Sequence, residues 1–111
     1  MIDLNKVRNI FLYTNKIDMR MGIIKMESIL SLSFSPLEIH RSVFIFVSKS
    51  RKMVKIYYED EYGKWLFINK LSYARFNVPA LEESFTITKD DLAYLLKGVA
   101  LISERRKQVS L

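Results

Sequence analysis

The chain has 111 residues, half of them hydrophobic, with two prolines and no cysteine. That length and composition describe one folded domain with a real core, and they exclude a disordered chain, a disulfide scaffold and a thiolate metal site. Lys and Arg number 18 against 12 Asp and Glu, a formal charge of +6 that favours acidic partners such as nucleic acid.

No apolar run approaches the ~18 residues of a membrane span. The start, Met1-Ile2-Asp3-Leu4-Asn5, lacks the order of a signal peptide. A soluble, cytoplasmic protein with no membrane role is expected.

In chain order, Val7–Tyr13 alternates, with Ile10 and Leu12 facing one way and Phe11 and Tyr13 the other, which predicts a strand. Thr14-Asn15-Lys16 reads as a turn, and Asp18 as the N-cap of a helix. Met19, Ile23, Met26 and Leu30 recur at helical steps and form its apolar stripe, ending near Leu32. Ser33–Pro36 is the exit, followed by a loop over Leu37–Ser42.

Val43–Val47 (VFIFV) is an unbroken apolar run, the mark of a strand buried on both faces or nearly so. Ser48–Lys52 is a polar loop carrying Lys49, Arg51 and Lys52. Beyond it Val54, Ile56 and Tyr58 alternate with Met53, Lys55 and Tyr57, suggesting a strand with one face in the core and one toward solvent or a partner. Glu59–Gly63 supplies a turn, and Lys64–Asn69 returns as a third strand. Leu71–Val78 reads as a turn and short strand stopped by Pro79, and Glu82–Ile87 as a last edge strand. Thr88 with Asp91 resembles a capping box opening a second helix, whose stripe is Leu92, Leu95, Leu96 and Val99 and whose stop is Gly98.

The expected architecture is therefore α+β: a mostly antiparallel sheet with a central three-stranded meander over Val43–Phe76, flanked by two helices. Residues 1–101 form the single domain. Residues 102–111 are a basic tail of the kind that is often disordered.

Val7-Arg8-Asn9-Ile10, Asp18-Met19-Arg20-Met21-Gly22 and Val43–Phe46 occur in an order that resembles a known family. So do Val54-Lys55-Ile56, Asp60, Gly63, Leu71, Arg75-Phe76, Pro79, Ile87-Thr88, Leu92, Leu95-Leu96 and Gly98. The family is that of the TnpB accessory proteins, products of the second open reading frame of insertion-sequence-sixty-six transposons. The resemblance implies a chain encoded beside a DDE transposase and a second small accessory protein, assisting transposition and carrying no established catalytic residues. Asn15, Ser50, Ser72, Ala74 and Val78 depart from the usual pattern and mark a divergent branch.

The residues point the same way on catalysis. His40 is the sole histidine, and Ser48 and Ser50 lack a histidine partner or a nucleophile-elbow sequence. Three dispersed glycines build no phosphate loop. Asp18, Asp60 and Asp91 each have a local role, as N-cap, turn residue and first-turn acid, in place of a metal triad. No enzyme and no cofactor are expected.

Binding to DNA has more support. From Val47 to Tyr58 there are four basic residues and no acidic one. The candidate contacts are Lys49, Arg51, Lys52 and Lys55, joined by Arg8, Arg20 and Arg75 if the first strand lies beside the meander. Tyr57, Tyr58, Trp65 or Tyr73 on an exposed face would stack on unpaired bases, or else serve as core and cross-strand pairs. The expected partners are transposon DNA and, as the family resemblance implies, the transposase and the second accessory protein. The alternative is a protein-interaction adaptor in the transposase complex, using a sheet edge or the second helix, with Arg105, Arg106 and Lys107 on an acidic partner surface.

Overall fold

The computed structural model describes residues 2–13, 18–72, 84–86 and 88–96. After a 3-10 turn at Leu4–Lys6 come β1 (Ile10–Tyr13), α1 (Ile23–Leu30) and α2 (Pro36–Ile39). They are followed by β2 (Val43–Val47), β3 (Met53–Asp60), β4 (Gly63–Lys70), β5 (Ser84–Thr86) and α3 (Lys89–Leu96). The sheet order is β4-β3-β2-β1-β5. β2–β3–β4 is the expected antiparallel meander, and β5 runs antiparallel along β1 at the far edge.

β1 and β2 are parallel, with Ile10 opposite Val43 and Tyr13 opposite Phe46. A parallel pair needs a crossover, and α1 and α2 supply it.

The period-2 alternation of each strand sorts side chains into two cores. Ile10, Leu12, Val43, Ile45, Val47, Val54, Ile56 and Tyr58 form one, against which Leu92 of α3 and the N-terminal Ile2 and Val7 pack. Phe44, Phe46 and Tyr57 form the other, under Met26 and Leu30 of α1 and Ile39 of α2. Phe11 stacks on Phe44 with centroids 5.4 Å apart, and Phe34 meets Phe44 edge-on at 5.2 Å.

β3 departs from the expected one-sided strand. Val54–Tyr58 is buried throughout, because the crossover helices cover its second face. Tyr57 and Tyr58 are thus core residues and not a stacking platform.

Two local readings change. Asp18 does not cap α1, whose N-cap is Gly22; its carboxylate instead closes a turn onto the Arg20 N–H at 3.0 Å. The expected stripe survives the later start, with Met26 and Leu30 buried and Met19 and Ile23 packed beside them. The expected loop Leu37–Ser42 contains α2 instead. Pro36 opens that helix, and Ser35 and Glu38 form a full capping box, at 3.2 and 2.9 Å, that satisfies the free N–H groups of a single turn. The Thr88–Asp91 box does form: Asp91 N–H donates to Thr88 Oγ1 at 3.1 Å, and Thr88 N–H to the Asp91 carboxylate at 3.2 Å. The expected turn at 14–16, the strand before Pro79, Gly98, Val99 and the 102–111 tail lie outside the described residues.

Two substitutions test this packing by urea denaturation. Phe44→Ala should cost about 3–5 kcal/mol, since it empties the ring cluster beneath the crossover. Ser35→Ala should cost about 1 kcal/mol, the usual value of an N-cap. A Phe44→Ala midpoint indistinguishable from wild type would contradict the two-faced core.

Candidate nucleic-acid interface

Because β1 and β2 are parallel and β3 returns, one end of the sheet gathers the C-terminal ends of β1, β2 and β4 with the start of β3. The β2–β3 loop, Ser48–Lys52, sits there and is tightly built. Ser48 N–H donates to Met53 O and Arg51 N–H to Ser48 O, both at 2.9 Å. Ser48 Oγ accepts from Met53 N–H at 3.1 Å. Arg51 has φ of 64°, a left-handed conformation uncommon outside glycine and asparagine. The serines thus pin a short turn that presents Lys49 and Lys52 to solvent with Arg51 between them.

Lys70 joins this group. The β3–β4 register places it opposite Met53, and Leu71 N–H donates to Lys52 O at 2.7 Å, locking the end of β4 against the loop. Lys70 is exposed. Counting along the hairpin from Asp60–Gly63 would have found it, once the pairing was known.

Lys55 belongs to the same end but not to its surface. It is only 7% exposed, and its ammonium donates to Met21 O at 2.9 Å beneath the α1 approach. Its charge is satisfied by a carbonyl, so it acts as a tie between the sheet and the crossover.

That tie brings Met21, and with it Arg20, to the cationic end. Arg20 is exposed and forks onto Asp18, Nε to Oδ1 and an Nη to Oδ2, both at 3.0 Å. The guanidinium and the Arg20 N–H hold the Asp18 carboxyl well below its usual range, at about 2. The fork also raises Arg20.

Arg8 is separated from this group. The first strand does lie beside the meander, but parallel pairing sends Arg8 to the opposite end: its N–H donates to Arg41 O at 2.8 Å and its guanidinium to Leu37 O at 3.0 Å. Five residues of β2, at about 3.3 Å each, put roughly 16 Å between the two ends. Arg75 and Tyr73 lie outside the described residues.

The opposite end has a different character. An open cleft of about 460 Å³ is lined by Asp3, Lys6, Tyr58, Asp60, Glu61, Tyr62 and Trp65. Its acids are largely committed. Asp60 Oδ1 accepts from Tyr62 N–H, Gly63 N–H and Trp65 Nε1–H, and Glu61 pairs with Arg41. Trp65 is 37% exposed and lies parallel to Phe67 with centroids 6.4 Å apart.

His40 is half-buried and closes α2, its N–H on Pro36 O at 3.1 Å. Among the described residues, no three His, Cys, Asp or Glu gather as a metal site, and no helix is long and apolar enough to cross a membrane.

The model of the family described as IS66 Orf2 like protein matches residues 8–106. The uncharacterized protein y4hO of Sinorhizobium fredii is 30% identical over 95 residues, spanning 81% of this chain and 79% of that protein. No solved structure matches.

The Asp18–Arg20 fork has a pH signature. Since the folded carboxyl titrates below the ~3.9 of an unfolded Asp, its contribution is present above that value and is lost as pH falls through about 2. Carbon-detected NMR of the Asp18 carboxyl should give a midpoint near 2, rising toward ~4 in Arg20→Ala. A wild-type midpoint near 4 would show that the fork is not formed in solution.

Proposed function

The chain belongs to the IS66 Orf2-like family, whose role is that of a transposition-associated accessory protein, and we propose that it assists a separate transposase by non-catalytic binding to transposon DNA. The contact surface is the cationic end of the sheet: Lys49, Arg51, Lys52 and Lys70, with Arg20 at its margin. The observation that carries this reading is the meeting of the β2–β3 loop with the end of β4, which brings four basic side chains from two segments to one sheet end.

Such a cluster suits phosphates, which position a protein on a duplex without reading its bases. The built turn adds preorganisation, since the serine hydrogen bonds hold the loop before any ligand arrives. Lys55 contributes by anchoring the crossover and not by touching DNA, and Arg8 lies at the wrong end to share one footprint.

Fluorescence anisotropy tests this, using a duplex from the element's terminal inverted repeat, a scrambled duplex and their single strands at two salt concentrations. Binding should weaken steeply with salt. Replacing Lys49, Arg51 and Lys52 together by Ala should reduce the log–log salt slope by about 2 to 3, near 0.9 per phosphate contact removed. Lys55→Met should leave that slope unchanged if the protein remains folded. Preference for the terminal duplex would indicate recognition of the element's ends. No binding at low salt would overturn direct DNA contact and leave an adaptor that holds the transposase or the second accessory protein.

A further inference from the structure

The outer edge of β4 carries information that DNA binding does not use. β4 is eight residues long and, among the described residues, pairs on one side only, with β3. It contains no proline. Natural edges are commonly shortened, bulged or blocked, because their free N–H and C=O groups invite another strand. Here the protective features are Lys64 and Lys70 near the two ends, leaving Trp65–Asn69 between them.

Hydrogen-bond parity says which groups point outward. Leu71 N–H is directed inward to Lys52 O, and in an antiparallel ladder the inward groups alternate along the strand. Odd-numbered residues therefore face β3, and the N–H and C=O of Lys64, Leu66 and Ile68 project from the edge. The faces are also set. Trp65 and Phe67 lie on the α3 side of the sheet, and Lys64, Leu66 and Ile68 on the α1 side.

We propose that this edge pairs with the same edge of a second copy, antiparallel about a two-fold axis centred on Leu66, to give one continuous sheet through two chains. A two-fold normal to the sheet must pair residues of one face, and hydrogen bonding must join outward-facing residues, so few registers remain. Centring on Leu66 sets Lys64 opposite Ile68 of the second copy, and Trp65 opposite its Phe67.

The aromatic pairs fall at the closer, non-hydrogen-bonded sites, where cross-strand contact is strongest. Each parallel Trp65–Phe67 pair would then continue across the axis as a four-ring ladder. On the other face, Ile68, 60% exposed, would be covered by the aliphatic stem of the opposing Lys64. Centring one residue later sets Lys64 against Lys70 twice and Trp65 against Asn69, losing both complementarities. The Lys64 ammonium pairs with Glu27 of α1, which holds its stem on the sheet face that it shares with Ile68.

Sedimentation equilibrium of the full chain, over a concentration series in moderate salt, tests this with two substitutions at an exposed position. Wild type should associate to twice the 13.1 kDa chain mass. Ile68→Lys places like charges opposite each other on both sides of the axis and should weaken association at least tenfold. Ile68→Glu faces Lys64 of the second copy and should retain or strengthen it. Hydrogen exchange adds an internal check, because the amides of Lys64, Leu66 and Ile68 should gain protection as concentration rises, while those of Trp65 and Phe67 are protected throughout. A wild type that stays monomeric to ~100 µM, association equally weakened or unaffected in both variants, or protection that ignores concentration would each overturn the proposal.

Discussion

The two-sided burial of β2 is the constraint from which the rest of the architecture follows. All five residues are buried; Val43, Ile45 and Val47 feed one core, and Phe44 and Phe46 the other. A strand with no solvent face must be paired on both edges and roofed on both sides. β1 and β3 provide the edges. The crossover helices roof the phenylalanine face, while α3 and the N-terminal segment roof the valine and isoleucine face. The crossover is itself forced, since β1 runs parallel to β2 and no hairpin could connect them.

This topology also distributes charge. Parallel pairing of β1 and β2 sends the chain's early basic residue, Arg8, to one end of the sheet and the β2–β3 loop to the other. At the Trp65 end Asp60 is held by local N–H donors and Glu61 by Arg41, so these acids are engaged in contacts within their own end of the sheet. At the loop end Lys49, Lys52 and Lys70 face solvent, and the nearby Asp18 is already held by Arg20. Among the described residues, these exposed cations thus give one sheet end a basic character.

Lys55 shows how one residue can be misread from pattern alone. Its position within a basic run suggests a phosphate contact, yet its burial and its bond to Met21 O make it a structural tie. The same tie carries Arg20 to the loop end, so the lysine that leaves the surface positions an arginine that remains on it. Tyr57 is a parallel case. Burial beneath α1, with Glu59 accepting from its hydroxyl at 3.1 Å, pushes its phenol up and removes it from any stacking role.

By itself the sequence determined the α+β class, the meander and its turns, the bounds of β2, the apolar stripe of α1 and the Thr88–Asp91 cap. These are local or period-driven features, written in alternation, helical spacing and capping chemistry. It also carried the α2 signal, Ser35-Pro36-Leu37-Glu38, although four residues are too short for periodicity to announce them. Only the tertiary structure decided that β1 lies parallel to β2, that the second face of β3 is covered, and that Lys70 joins the loop while Arg8 does not. Each of these is a pairing between segments distant in the chain, set by which faces must be buried together. A one-dimensional pattern shows that a face is apolar; the partner that covers it, and the end at which a cation emerges, are settled by packing.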